Sequence, residues 1–148
     1  MAPRGPVLAA QTLGVLRMAS SIQLLSELEE AQLRRLEPRL YHLVLTGRPC
    51  ARSAAELERA VEADAAPEPY AVLVEPLAGA TSLSAPRALL LPRACHVSVV
   101  ARSPLALGLA RVWTLLSHLS GGPPIVCYES LEAAFAAAQR AIVRRSLA

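Results

Sequence analysis

Ser103 follows an apolar, strand-like run and is of a type that could act as a nucleophile, with His118 as base and Asp64 as orienting acid. A hydrolase nucleophile on such a turn needs flanking glycines, as in G-x-S-x-G, and Ser103 has none. His118 lies one helix further on and Asp64 precedes a different strand, so the three do not read as a triad. Ser103 reads instead as a helix N-cap. Cys95 and His96 are metal-ligand types, yet neighbours on a regular strand point to opposite faces and cannot hold one ion. No C-x-x-C or H-x-x-x-H spacing occurs in the chain. The loop around Gly79 carries one glycine where a phosphate loop or dinucleotide fingerprint needs two or three for close backbone approach. Neither a catalytic set, a metal nor a cofactor is expected from these residues.

What is left is positional. In open α/β sheets the C-terminal ends of the strands and the N-termini of the helices that follow form one rim, where ligands and partners bind. Here that rim collects Glu75, Thr81, Ser82, Ser84, Arg87, Arg102, Ser103, Glu129 and Ser130. The hydroxyls have a plain role as helix caps and the arginines as solvated surface. The sharper role is a site for an anion or an acidic partner side chain, built from helix N-termini with Arg87 and Arg102 beside them.

The elements that would position this rim follow from pattern. Tyr70–Glu75 is an apolar strand leading through Pro76–Ser84 into helical turns over Pro86–Leu91. Cys95–Ala101 is a second strand, passing through Arg102-Ser103-Pro104 into a long helix that ends near Leu119. Its expected buried stripe is Leu105, Leu109, Val112, Leu116 and Leu119, flanked by Ala106, Ala110 and Trp113. Gly121-Gly122 ends that helix, and Ile125–Tyr128 makes a short strand. Ser130 caps a final helix with Leu131, Phe135, Ala138 and Ile142 facing inward and Arg140, Arg144 and Arg145 near its negative end. Upstream, Ser21–Glu37 has helical periodicity with Ile22, Leu25, Leu33 and Leu36 on one face, and Pro38 stops it. Arg39–Thr46 then reads as a strand, and the capping box Ser53-Ala-Ala-Glu56 opens a helix that fades before Pro67. The expectation is a single α/β domain over residues 38–148, with a mainly parallel or mixed four-stranded sheet, right-handed crossovers and helices packed on it. An extra N-terminal amphipathic helix over 21–37 would pack on that sheet or dock a second copy as a homodimer. Residues 1–20 read as a flexible extension, with Met18 as an alternative start.

Composition narrows the class. The chain of 148 residues is 53% hydrophobic and 18% charged, enough to bury a core and unlike a disordered tail. All fifteen basic residues are Arg, Lys and Asn are absent and Asp64 is the only Asp, the usage of a GC-rich, bacterial genome. With a net charge of +3 and five scattered aromatics, no basic stripe with stacking rings can be drawn, which argues against nucleic acid as partner. Cys50, Cys95 and Cys127 are odd in number and far apart, as suits a reducing cytoplasm. Val7–Leu16 is apolar but too short to cross a bilayer, and Arg17-Met18 stand where a signal peptide would need small residues.

The stretch Val72-Leu-Val-Glu-Pro-Leu-Ala-Gly-Ala-Thr-Ser-Leu-Ser-Ala-Pro-Arg-Ala-Leu89 resembles the core of a STAS domain, the sulfate-transporter and anti-sigma-factor-antagonist fold. His96–Trp113 and Pro124–Phe135 are similar to the later half of its SpoIIAA-like branch, so that the resemblance runs over about Arg39 to Val143 in element order and texture. It implies a non-enzymatic domain that binds a protein partner, without cofactor. In the family, a Ser at the start of the second helix is phosphorylated to end binding. On the matching register Ser84 takes the family's acidic position, with Ala85 and Pro86 where the Ser pair would stand, so the phosphorylatable Ser is missing. The resemblance therefore implies a regulatory or scaffolding role without the usual switch.

Overall fold

A computed structural model of the chain describes residues 22–29, 31–47, 51–65, 68–77, 94–119 and 121–147. Six strands form one mixed sheet: β1 (Gln23–Glu27), β2 (Ala31–Glu37), β3 (Leu40–Leu45), β4 (Tyr70–Pro76), β5 (Ala94–Val100) and β6 (Ile125–Tyr128). Three helices accompany them among the described residues: α1 (Ala51–Ala65), α2 (Pro104–Leu119) and α3 (Leu131–Leu147). Spatial order equals chain order, β1-β2-β3-β4-β5-β6. The first three strands are joined antiparallel and the rest parallel.

The expected α/β class is therefore present, while the four-stranded sheet and the N-terminal helix are not. Residues 23–37 form two antiparallel strands, turned by a Leu28 N–H that donates to the Ala31 carbonyl at 2.8 Å. The leucine spacing that fits a helical face also fits a strand, because alternation along β2 puts Leu33 on one side of the sheet and Leu36, three residues on, on the other. Pairing with the wholly buried β3 decides between the two periods. A homodimer built on a helix at Ser21–Leu36 loses its element. Pro38 sits in the β2–β3 turn, followed by Arg39 at a φ of 67°. Residues 1–20, Gly79 and the turns expected over Pro86–Leu91 lie outside the described residues.

The remaining elements fall close to expectation. α1 begins at Ala51, so Ser53 and Glu56 lie inside the helix, with Ser53 buried, instead of capping it. Ser103 does cap α2, its Oγ accepting from the Ala106 N–H at 3.1 Å, and Ser130 caps α3 through the Ala133 N–H at 3.2 Å. α2 ends in a Schellman turn: the Gly122 N–H donates to Ser117 O at 2.7 Å and the Gly121 N–H to His118 O at 3.3 Å, with Gly121 at a φ of +70°.

Two cores lie on opposite sides of the sheet. Leu57, Val61 and Ala65 of α1 and Ala110 and Trp113 of α2 pack on Tyr41, Leu43, Val72, Val97 and Val99. Leu131, Ala134, Phe135 and Ala138 of α3 pack on Leu36, Leu40, Leu73 and Val100. Crossovers of one hand that step the same way along a sheet put their helices on the same face, which is where α1 and α2 lie.

α2 is rotated from its expected orientation. Its buried residues are Ala110, Trp113 and Ser117, with Leu109 partly buried, while Leu105, Val112, Leu116 and Leu119 of the expected stripe are exposed. The Trp113 side chain supplies most of the volume this face can bury, and small Ala110 and Ser117 let the helix approach the sheet. Swinging the leucine stripe inward would put Trp113 in water.

Candidate functional site

The rim is built by parallel strands β4, β5 and β6, whose C-terminal ends bring Glu75, Arg102, Ser103, Glu129 and Ser130 to one edge of the sheet. Thr81, Ser82, Ser84 and Arg87 lie outside the described residues. Ser103 and Ser130 are occupied as caps, and Glu129 is exposed.

Glu75 ends an otherwise apolar strand, pointing to the α3 side with Ala71 and Leu73, and its side chain is 1% exposed. His42 comes from the same face of β3, opposite Leu73, and its Nε2 stands 3.2 Å from Glu75 Oε1. Arg102, just beyond β5, brings a guanidinium nitrogen to 2.5 Å from Glu75 Oε2. Burial pushes the Glu75 carboxyl up, but the His42 hydrogen bond and charge, together with the Arg102 guanidinium, outweigh it and hold the group below the usual carboxylate range. The result is a buried carboxylate held between an imidazole and a guanidinium.

Chemically, this arrangement fastens more than it reacts. A carboxylate beside an imidazole can orient it for proton transfer, but His42 is 2% exposed and stands behind Arg102. Of the rim residues expected to meet a ligand, Glu75 and Arg102 are brought together, and each is engaged by the other. His42 was not expected at the site. A histidine inside the run Leu-Tyr-His-Leu-Val-Leu and a glutamate at the end of Tyr-Ala-Val-Leu-Val-Glu are each out of place in a core, and that shared anomaly is the signal that pairs them.

Other polar groups sit outside the rim. On the α1 side the Tyr41 hydroxyl donates to Asp64 Oδ2 at 2.6 Å, Arg35 reaches Asp64 Oδ1 at 3.0 Å, and the Tyr70 hydroxyl donates to Glu62 at 3.0 Å. The Tyr41 and Tyr70 rings meet edge to face at 5.7 Å. Burial first, then the Asp64 hydrogen bond, raises the Tyr41 phenol well above its ordinary value, so this network is a strut between sheet and helix.

Cys95 and His96 depart from the expected opposite faces. The register slips between Tyr70 and Ala71, so that Ala94 and His96 pair with β4 while Cys95 is skipped, and Cys95 and His96 line one cleft together. Burial pushes the Cys95 and Cys127 thiols up, which leaves both protonated and poorly nucleophilic. No group of three or more His, Cys, Asp or Glu side chains that could hold a metal occurs among the described residues, and no helix of the described residues is long and apolar enough to cross a membrane. No family model, curated protein or solved structure matches this chain.

Proposed function

We propose that this chain is a regulatory or scaffolding domain that works by binding a protein partner, without a catalytic step of its own, as its resemblance to STAS and SpoIIAA-like domains implies. One observation carries the reading: the outward face of α2 is apolar and open to solvent. Leu105, Leu115 and Leu119 are 60%, 57% and 72% exposed, and Val112 and Leu116 are exposed beside them. Large apolar side chains gathered on one side of a helix mark a surface that another molecule covers. Leu105, Val112 and Leu119 recur every seven residues, with Gly108 and Leu115 between them, the spacing of a helix that receives another helix. Nothing lies within 4 Å of where a Cβ on Gly108 would sit, so a partner backbone has room to approach.

The occupant that fits is an amphipathic helix with acidic residues beside its apolar stripe. Arg111 and His118 flank the seam one heptad apart, and α2 contains no acidic residue. In this reading the His42–Glu75–Arg102 clamp fixes the loop from which α2 starts, and so its orientation. The alternative of a ligand held on the rim by Glu75 and Arg102 has less support, because those two side chains already neutralise each other.

The probe is a synthetic three-heptad helix carrying Leu at its seam and Glu at its flanks, titrated by calorimetry against the full chain. Saturable binding is expected, lost by at least tenfold in Val112→Glu with circular dichroism unchanged. Arg111→Glu should shift preference to the same peptide with Lys flanks. Equal binding by wild type and Val112→Glu would overturn the reading. So would a dimer in light scattering that Val112→Glu dissolves, or co-sedimentation with phosphatidylcholine–phosphatidylglycerol vesicles, which would assign the stripe to a second copy or to lipid.

A further inference from the structure

We propose that the cleft between the start of β5 and the last turns of α3 binds a phosphate monoester of a small molecule. It lies at the opposite edge of the sheet from the rim, because α3 starts at the C-terminal end of β6 and runs back alongside the parallel strands. The cleft is open to solvent, holds about 520 Å³ and is lined by Cys95, His96, Pro124, Ala141, Arg144 and Arg145. A second hollow of about 390 Å³ shares Arg144 and adds Arg140. These volumes are in the range that holds small metabolites.

Charge sets the class of ligand. Arg140, Arg144 and Arg145 have no carboxylate partner among the described residues. Arg144 and Arg145 line the cleft itself, and complementing the negative end of α3 uses only about half an elementary charge, which leaves roughly one and a half positive charges facing it. A monocarboxylate would leave part of this uncompensated, whereas a phosphate monoester carries about −1.5 to −2 near neutral pH and offers three acceptor oxygens. Arg39, at the margin, is tied to Glu68 at 3.3 Å and to Ser146 at 3.2 Å and so adds position more than charge.

His96 is a wall of the cleft, and its Nε2 lies beneath the surface without a hydrogen-bond partner among the described residues. Burial, followed by the charges of Arg140 and Arg144, keeps the His96 imidazole below its usual pKa and therefore neutral at pH 7. A turn of the ring would bring an Nε2–H to a phosphate oxygen, and Pro124 and Ala141 leave an uncharged, apolar wall for the rest of the molecule. The bulge at Cys95 is what turns His96 toward this cleft.

The test follows the His96 imidazole resonances of the full chain by NMR at constant ionic strength, with phenyl phosphate, inorganic phosphate and sodium chloride as titrants. Saturable shifts with phenyl phosphate, tighter than with inorganic phosphate, and a rise in the His96 pKa on binding are expected. Arg144→Gln and Arg145→Gln should each weaken binding at least tenfold, while Arg59→Gln on the far side leaves it unchanged. Vesicles containing a phosphoinositide that compete for the site would support the same chemistry with a lipid headgroup as its source. Shifts that are linear in concentration, or equal with chloride, or unaltered by Arg144→Gln would overturn the proposal.

Discussion

His42, Glu75 and Arg102 illustrate what a buried charge does when each neighbour is fixed by a different strand. Removing one member leaves the carboxylate under-compensated at 1% exposure, whereas removing the charges together leaves a core of ordinary apolar character. His42→Ala is expected to lose about 3 kcal/mol in urea unfolding, and His42→Leu combined with Glu75→Leu to lose less than that single change. The pH dependence has a definite sign. A carboxyl held below its ordinary value near 4.5 contributes stability that is full above that value and fades as pH falls through the lower native one. Glu75→Gln should therefore flatten the acid limb of the stability curve below pH 4.5, measured by urea titrations at successive pH values. The sequence made Glu75 and Arg102 visible as strand-end residues, and Ser103 and Ser130 as caps, because those roles depend on neighbours in the chain. His42 escaped, and Arg140, Arg144 and Arg145 were legible only as charges near the end of the last helix, because what each faces depends on which strand lies alongside, something local spacing does not encode.

α2 and the β1–β2 hairpin show how elements can be recognised and yet be misoriented or mistyped. The ends of α2 were legible from Ser103-Pro104 and Gly121-Gly122, but its inward face was not, since leucine frequency favours one stripe while the single Trp113 decides the other. In residues 23–37 the leucines serve two periods, and the pairing of β2 with β3 selects the strand. Two glycines at this scale give opposite expectations. Gly108 lies inside α2 with open space around it, so Gly108→Ala should raise stability by about 0.5–1 kcal/mol. Gly121 holds a φ of +70°, so Gly121→Ala should lower stability by about 1–2 kcal/mol through strain in the cap. Thermal unfolding of the two variants side by side checks both signs.

At the scale of the whole molecule, α2 and the arginine cleft lie on opposite faces of a six-stranded sheet and share no residue. Sites so separated are expected to behave additively, so Val112→Glu should leave the phenyl phosphate affinity unchanged and Arg144→Gln should leave peptide binding unchanged, both read from the two titrations described above. The α/β class was legible because strand and helix patterns from Arg39 onward are strong, whereas the size of the sheet was not, because its two added strands carry helix-forming residues. Each strand hydrogen-bonds to the one made just before it, so the sheet can grow by accretion from short loop closures. α3 breaks that rule. Its Gln139 meets Glu37 across 102 positions of chain and its Ser146 meets Arg39 across 107. Yet α3 follows β6 after only two residues, so once the sheet exists the helix docks over a short tether. Phe135→Ala should therefore speed unfolding while leaving the folding rate nearly unchanged, read by stopped-flow fluorescence of Trp113.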